Sequence, residues 1–427
     1  MSVPSPCSGT ARVIAVIRNQ SEFREVCLED LLGSDHRARL LWQFTENVDL
    51  SLSLSQIKSR TGDPGRPAHD PRMLLALWLY ATSQGIGSAR RVAELCQTDI
   101  AYRWLSGDLR PNYHALSDFR SGGGKQLDAL MRQLLTGLVK CHILTLRRVS
   151  QDGVKVRAHA GAASFRREPS LREIQSKVKQ QIEDLKSELH SDPGASSRRE
   201  LAARERSLKE RHKKVESALR VVQEVQETIE RNLSPKGRKR EARASTTDPD
   251  ARVMHMADNG FRPAANIQFA TDTDTRLVVG VEVSNRGTDT GSMSGMIQQV
   301  EENTGVCPQE LLVDGGYVSH SDMQAVSEKG VAILAPLPKA PSGKRDPSRP
   351  RKGDTLEIAA WRLRMQDPQV QEVYRQRAAT SETVHADLRA HRGLKQFPVR
   401  GLESMQAVAL LMAVTYNALR IIANGWM

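Results

Sequence analysis

Three carboxylates in this chain stand where an acid has little structural reason to be. Asp152 lies inside Arg148-Val149-Ser150-Gln151-Asp152-Gly153-Val154-Lys155-Val156-Arg157, whose alternation of apolar and polar residues predicts a strand. An acidic side chain there gains nothing from pointing into an apolar layer. Asp314 closes the apolar run Glu310-Leu311-Leu312-Val313-Asp314 and is followed by Gly315 and Gly316. In open α/β sheets, ligands bind at the carboxyl ends of strands, which is where Asp314 is expected. Glu382 is the third candidate, on a helical pattern with Tyr374, Arg377 and Arg389. The seven positions from Glu382 to Arg389 are about two helical turns, so a carboxylate for metal and a guanidinium for phosphate share one face. Each residue also has an ordinary reading, since a strand-end Asp commonly caps a turn and charged helices are usually solvated. Together they suggest more. Carboxylates converging from different strands can hold Mg²⁺, a hard cation with a preference for oxygen. Two such ions about 3.5–4 Å apart activate a nucleophile and stabilise the leaving oxygen in phosphoryl transfer.

The elements that must position these acids are readable in outline. Residues 1–66 carry short apolar stretches and end in the turn-rich Arg60–Gly65. Short helices with glycine turns follow over 67–145. Asp70 is placed to cap a helix with Pro71 at its first position, and Ser88 to cap a second. Their spacing resembles a helix-turn-helix DNA-binding unit. After the strand at 148–157, Leu171, Val178 and Leu185 recur every seven residues, with Ile174, Ile182 and Leu189 at the other seam position. Beyond the turn Ser191–Gly194, Leu201, Leu208, Val215, Val222 and Ile229 keep the heptad, supported by Leu219 and Leu233. This pattern predicts an antiparallel coiled-coil hairpin over about 168–233. Lys236, Arg238, Lys239, Arg240 and Arg243 then form a basic cluster, read as a flexible loop facing DNA.

Strand signals return at 265–270 and 277–283 around the turn Asp272–Asp274, which predicts a β-hairpin with the two acids as turn formers. Asp289 reads as a cap for the helix that carries Met293, Met296, Ile297 and Val300. Residues 336–354, rich in Pro, Lys and Arg, read as a mobile loop. Helices around 357–391 and 403–423 complete the chain. The predicted fold class is α/β: a mixed sheet with flanking helices, an all-α N-terminal domain and a coiled-coil insertion. The boundaries are 1–66, 67–145, 146–166 with 250–427 for the sheet, and 167–249 for the insertion.

Composition narrows the partners. The chain has 427 residues, 62 Lys+Arg against 50 Asp+Glu, and a formal net charge of +12. That length suggests two or three structural units. The excess cation points to a polyanion, since neutralising phosphates releases counterions. At 4% aromatic residues the chain has few stacking platforms, which favours duplex over single-stranded nucleic acid. Five scattered cysteines without a C-x-x-C argue against a disulfide framework and a zinc site. The apolar stretch Ala407–Val414 falls short of the roughly 20 residues a membrane span needs, and no secretory signal is visible. No G-x-x-x-x-G-K-[ST] is present, so an ATP-driven helper is not expected. His255 and His320 read as surface or loop residues rather than ligands.

The segment Glu382-x6-Arg389-x-His391-Arg392-Gly393, running on to Arg400-Gly401-Leu402, resembles the C-terminal signature of bacterial insertion-sequence transposases of the DDE, RNase H-like superfamily. Asp152-Gly153-x-Lys155, Gly260-Phe261-x-Pro263-Ala264-x-Asn266-x-Gln268 and Asp314-Gly315-Gly316-Tyr317 are similar to the same family's first acid, second strand and second acid. His69-Asp70-Pro71, Gly85-x-x-Ser88-x-Arg90-Arg91, Tyr102-Arg103-Trp104-Leu105-x-Gly107 and Phe119-Arg120 resemble its helical N-terminal domain. The resemblance runs from about residue 69 to 423, with its words in the family's order.

That resemblance implies an RNase H-like catalytic domain in which Asp152, Asp314 and Glu382 are both the catalytic and the metal-binding triad. It implies two Mg²⁺ ions, with Mn²⁺ as a substitute, and hydrolysis at the element's ends followed by attack of the freed 3′-hydroxyls on target DNA. Double-stranded DNA is then the partner, both as terminal repeats and as target. Arg90, Arg91, Lys155, Arg238, Lys239, Arg240, Tyr374, Arg377 and Arg389 are its expected contacts. A homodimer in the synaptic complex, a cytoplasmic location at the nucleoid and no membrane association complete the expectation. The chain departs from the pattern at Val154 (usually Thr), His385 (usually aromatic), Arg389 (usually Lys) and in an Arg377–Glu382 gap one residue longer than the commonest form. None of these removes a carboxylate. The alternative is a decayed or domesticated copy that binds DNA as a regulator, although a pure binder has no need of three acids.

Overall fold

The computed structural model describes residue 25 and residues 27–60, 67–191, 198–232, 241–338 and 346–426. Strand β1 (Arg148–Arg157) forms over the stretch whose alternation predicts it. Two residue pairs, Phe165–Arg166 (β2) and Ala244–Ser245 (β3), make a small ribbon where the insertion leaves and re-enters the sheet. The main sheet adds β4 (Arg252–His255), β5 (Phe261–Asp272), β6 (Val278–Ser284), β7 (Glu310–Leu312) and β8 (Ala332–Leu334). Its order is β4-β5-β1-β7-β8, with β6 pairing β5. β1 lies at the middle, antiparallel to β5 and parallel to β7. From Pro263 to Asp272, β5 is buried at every position, as expected of a strand covered on both faces. The β5–β6 turn is built as its acids suggest: the Asp272 carboxylate accepts from the Thr275 N–H at 2.8 Å and its hydroxyl at 2.7 Å.

The N-terminal part is helical: α1 (Arg37–Glu46), α2 (Ser51–Ser55), α3 (Pro71–Ser83), α4 (Ala89–Thr98), α5 (Ile100–Ser106), α6 (Tyr113–Gly122) and α7 (Gly124–Lys140). Asp70 caps α3 by accepting from Arg72 N with Pro71 at the first position, and Ser88 caps α4. Trp78 on α3 is fully buried and donates its indole N–H to Leu116 O at 3.0 Å. At the end of α3 the chain takes a positive φ at Gly85 (+73°), where an added Cβ would sit 3.0 Å from His391 O. Glycine is needed there on both counts, and the contact ties the helical part to the sheet part.

The insertion is two helices, α8 (Glu168–Ser191) and α9 (Arg198–Asn232). They pack antiparallel: Leu171, early in α8, is buried with Ala218 and Val222, late in α9. At the far end, Glu188 pairs with Arg204. Val178, Leu185, Leu201 and Val215 are buried as the heptad predicts. Ala218 and Val221 join the seam outside the heptad because Ala242 and Ala244 also pack there. The Leu189 side chain, Leu233, Lys236, Arg238, Lys239 and Arg240 lie outside the described residues; Arg243 is exposed.

The remaining helices are α10 (Met293–Thr304), α11 (His320–Glu328), α12 (Leu356–Arg364), α13 (Pro368–Ala390) and α14 (Leu402–Asn424). The single predicted pattern at 357–391 is divided by Asp367, which caps α13 with Pro368 at its first position. The described residues of the predicted loop, 336–338 and 346–354, form neither helix nor strand, and the second stretch is tied to α12. Asp354 forms a buried ion pair with Arg362 at 2.8 Å, and Arg362 also donates to Pro347 O at 2.8 Å. α14 is long and apolar enough to cross a bilayer, but 78% of its apolar window is buried inside the protein. It packs on α3, α6, α7 and β6, so one buried cluster runs from Ala38 to Ile421 through both parts of the chain.

Candidate active site

Strand periodicity and register direct two of the acids to the same end of the sheet. Side chains alternate faces along a strand, so Ser150 and Asp152 share one face of β1. β7 runs parallel to β1 with Ser150 opposite Leu312. Asp152 lies two residues further on in β1 and Asp314 two residues past the end of β7, so the register directs both toward the same end and face of the sheet, and the charge of Asp314 is felt at Asp152. The chain turns after Asp314, whose carboxylate accepts from Gly316 N at 2.7 Å as it opens a single 3-10 turn over Gly315–Tyr317.

α13 covers that face. The Ser381 and Ser150 hydroxyls lie 2.8 Å apart, and the Tyr374 hydroxyl donates to Val313 O at 3.0 Å. Arg377 reaches Asp152 at 3.4 Å, with both side chains mostly shielded from solvent. Burial raises the Asp152 carboxyl above its ordinary range. Arg377 and the Gly153 N–H oppose that shift, and the charges of Asp314 and Asp289 add to it. Arg377 thus partly neutralises a pair of acids that repel one another.

Glu382 follows Ser381 and is exposed. One residue is a rotation of 100°, so its side chain leaves the flank of α13 rather than the face on the sheet. Arg389 leaves the same flank and donates to Lys155 O at 3.5 Å, so this flank overlooks the end of β1. Among the described residues, no three His, Cys, Asp or Glu side chains assemble as a cation site. Asp152 and Asp314 thus lie at the same end of neighbouring elements, while the exposed Glu382 projects from the flank of α13. The pair suits a hard divalent cation, since both donors are carboxylate oxygens and one is held above its usual pKa by burial that a cation would offset.

The other expected contacts are dispersed. The Lys155 side chain leaves the opposite face of β1 from Asp152, three residues away. On α4, Arg90 stacks over Tyr113 at 5.0 Å and Arg91 pairs with Glu94 at 3.1 Å. His385, where the resemblance expects an aromatic, packs near Phe269 at 5.8 Å between ring centres. Burial, with Arg389 and Arg377 nearby, lowers its pKa to about 4 and keeps the ring neutral.

Asp289 does not cap α10. Ser292 occupies the cap position, and the Asp289 carboxylate accepts from Asn266 Nδ2 at 2.7 Å and Gln268 Nε2 at 2.6 Å. The sequence carried one signal for this arrangement: two amides, two residues apart, on one face of an otherwise apolar strand.

Two family models match the chain: a transposase domain (DUF772) over residues 26–122 and a transposase DDE domain over residues 241–418. Asp152 and the coiled coil fall between these stretches, while Asp314 and Glu382 fall within the second. No curated protein and no solved structure matches the chain. The mixed sheet with helices on both faces is the RNase H-like arrangement expected of a DDE domain, and the helical part precedes it in the matched order. With both models matched in that order around a sheet whose central strands direct two aspartates toward one end, the chain belongs to the DDE transposases of insertion sequences.

Proposed function

We propose that this transposase cuts phosphodiester bonds at the ends of its element and joins the freed 3′-hydroxyls to target DNA, with Asp152, Asp314 and Glu382 as the metal-binding acids. The observation that carries the reading is the parallel register of β1 and β7, which ends at Ser150 and Leu312, two residues short of each aspartate, beneath α13. Two Mg²⁺ ions, or Mn²⁺ in their place, would supply Lewis-acid activation of the attacking and leaving oxygens. The chain's own residues bind and orient. Arg377 holds the Asp152 carboxylate, and Tyr374 ties α13 to the Val313 carbonyl beside Asp314. Arg389, on the flank of Glu382, is positioned for a phosphate at the end of β1. Arg90 and Arg91 on the exposed face of α4, Lys155, and the basic run Arg238, Lys239 and Arg240 are the further DNA contacts. The DNA is double-stranded, as terminal repeats and as target, and the acting form is a homodimer that pairs the two ends.

The test is cleavage of labelled duplexes carrying the element's terminal repeats, in Mg²⁺, by wild type and by D152N, D314N and E382Q. Each variant should lose cleavage and keep end binding in a gel shift. Cleavage by D152N or D314N at the wild-type rate overturns the site, whereas cleavage by E382Q alone removes only Glu382 from it. The exposure of Glu382 favours a second reading, a decayed copy that binds ends as a regulator. Wild-type binding without cleavage in either metal would select it.

A further inference from the structure

On the face of the sheet opposite the two acids lies a polar network that the reaction described above does not use. Gln151 and Gly153 point to that face, as do Gln268 and Asn266, which pair with Gly153 and Lys155 on β1. Asn266 and Gln268 are almost wholly buried, and buried amides are costly unless paired. The Asp289 carboxylate meets them both through one oxygen. Bonds to a charged acceptor are the stronger kind. That oxygen sits so near β1 that a Cβ on residue 153 would lie 2.5 Å from it and 2.5 Å from Gln268 Nε2. Only glycine leaves the room.

The network also reaches the second acid. Gln268 Oε1 accepts from the buried Tyr317 hydroxyl, in the turn that follows Asp314, and from Gln151 Nε2 at 3.3 Å. Beside Asp289, Thr290 donates its hydroxyl to Gly316 O at 2.9 Å. Ser292 accepts from Gln151 Nε2 at 3.2 Å and donates to Asp289 O at 2.7 Å. Residues 289–292 therefore hold β1, β5 and the Gly315–Tyr317 turn at once. The Asn266 Oδ1 atom is buried without a partner among the described residues, so the amide is fixed by its bond to Asp289.

We propose that Asp289 is a positioning residue: from behind the sheet it sets the spacing of Asp152 and Asp314. The inference rests on reading those two as the reacting acids. Asp289→Ala removes the acceptor, whereas Asp289→Asn keeps an oxygen for both amides and removes only the charge. Outer-shell changes of this kind typically cost about 10- to 100-fold in activity or metal affinity. Asp289→Ala should therefore cleave end duplexes about 10- to 100-fold more slowly, need a higher Mn²⁺ concentration and keep end binding. Hydrogen exchange of peptides spanning 313–318, on metal-free full-length protein, should rise in Asp289→Ala and remain as in wild type in Asp289→Asn. The asparagine variant should recover most of the cleavage. Wild-type cleavage and exchange in Asp289→Ala overturn the proposal. So does an asparagine variant as inactive as D152N, which would make the charge itself the requirement. Cleavage that survives in D152N instead overturns the underlying site assignment, whatever Asp289 does.

Discussion

Gly153→Ala is a sharp probe of how closely the sheet packs behind the acids. The backbone at 153 lies outside the left-handed region, so the substitution carries no conformational penalty and its cost is steric. The new Cβ would lie 2.5 Å from Asp289 Oδ1 and 2.5 Å from Gln268 Nε2, where ordinary contact begins at 3.4 Å. A shortfall of about 0.9 Å must be absorbed on two sides. Neither neighbour yields freely: Asp289 is held by two amides, and Gln268 by Tyr317 and Gln151. Overpacking of this kind costs about 1–3 kcal/mol, and each displaced hydrogen bond about 1 kcal/mol more. A total near 2–3 kcal/mol lowers the melting midpoint by roughly 5–10 °C in a large domain. The assay is thermal unfolding by circular dichroism, with Gly295→Ala as the control. Gly295 lies inside α10 with nothing within 4 Å of an added Cβ, so alanine there should be neutral or stabilising by up to about 1 kcal/mol. Because Asp289→Ala removes one of the clashing atoms, the double variant should melt higher than the sum of the single effects. A Gly153→Ala protein that melts with wild type, or strict additivity with Asp289→Ala, would refute the packing described.

Three other perturbations bear on charge burial. Burial holds the Asp152 carboxyl above its unfolded value, so folding favours the protonated acid, and that stability is lost as pH rises through the folded value. Asp152→Asn should melt higher than wild type near pH 7, with the gap closing toward acid; a gap independent of pH would contradict this. His385 has its pKa lowered from 6.5 to about 4. Protonation therefore destabilises the fold progressively as pH falls from 6.5 toward 4. His385→Phe, which also removes an Nε2 without a partner among the described residues, should flatten a stability profile measured by urea titration across that window. An unchanged slope would count against the buried neutral ring. The side chains of the Arg362–Asp354 pair are shielded from solvent, and Arg362→Met leaves the Asp354 carboxylate with only the Arg351 N–H among the described residues, at a cost of about 1–3 kcal/mol. The melting midpoint should fall accordingly, and an unchanged midpoint would show that the 346–354 segment is not anchored through this pair.

What the sequence determined by itself was local. Alternation marks β1 because the strand period is two, and the heptad marks α8 and α9 because their seam repeats every seven residues. Asp70–Pro71 and Ser88 mark helix starts because a cap needs only its own next turn. The motif order made the family legible before any contact was known. Tertiary structure decided the rest, because it depends on residues far apart in the chain. Whether Asp152 meets Asp314 depends on a parallel register between strands some 160 residues apart, with the coiled coil between them. Asp289 reads as a cap from its position before α10, yet two buried amides on β5 offer its carboxylate better partners. The apolar helix α14 became a core element rather than a span because α3, α6, α7 and β6 surround it. The cationic 346–354 segment is held because a single buried guanidinium requires its acid. Local periodicity placed the acids on their elements; register and burial determined which acids face one another, and behind them set a third to hold the sheet.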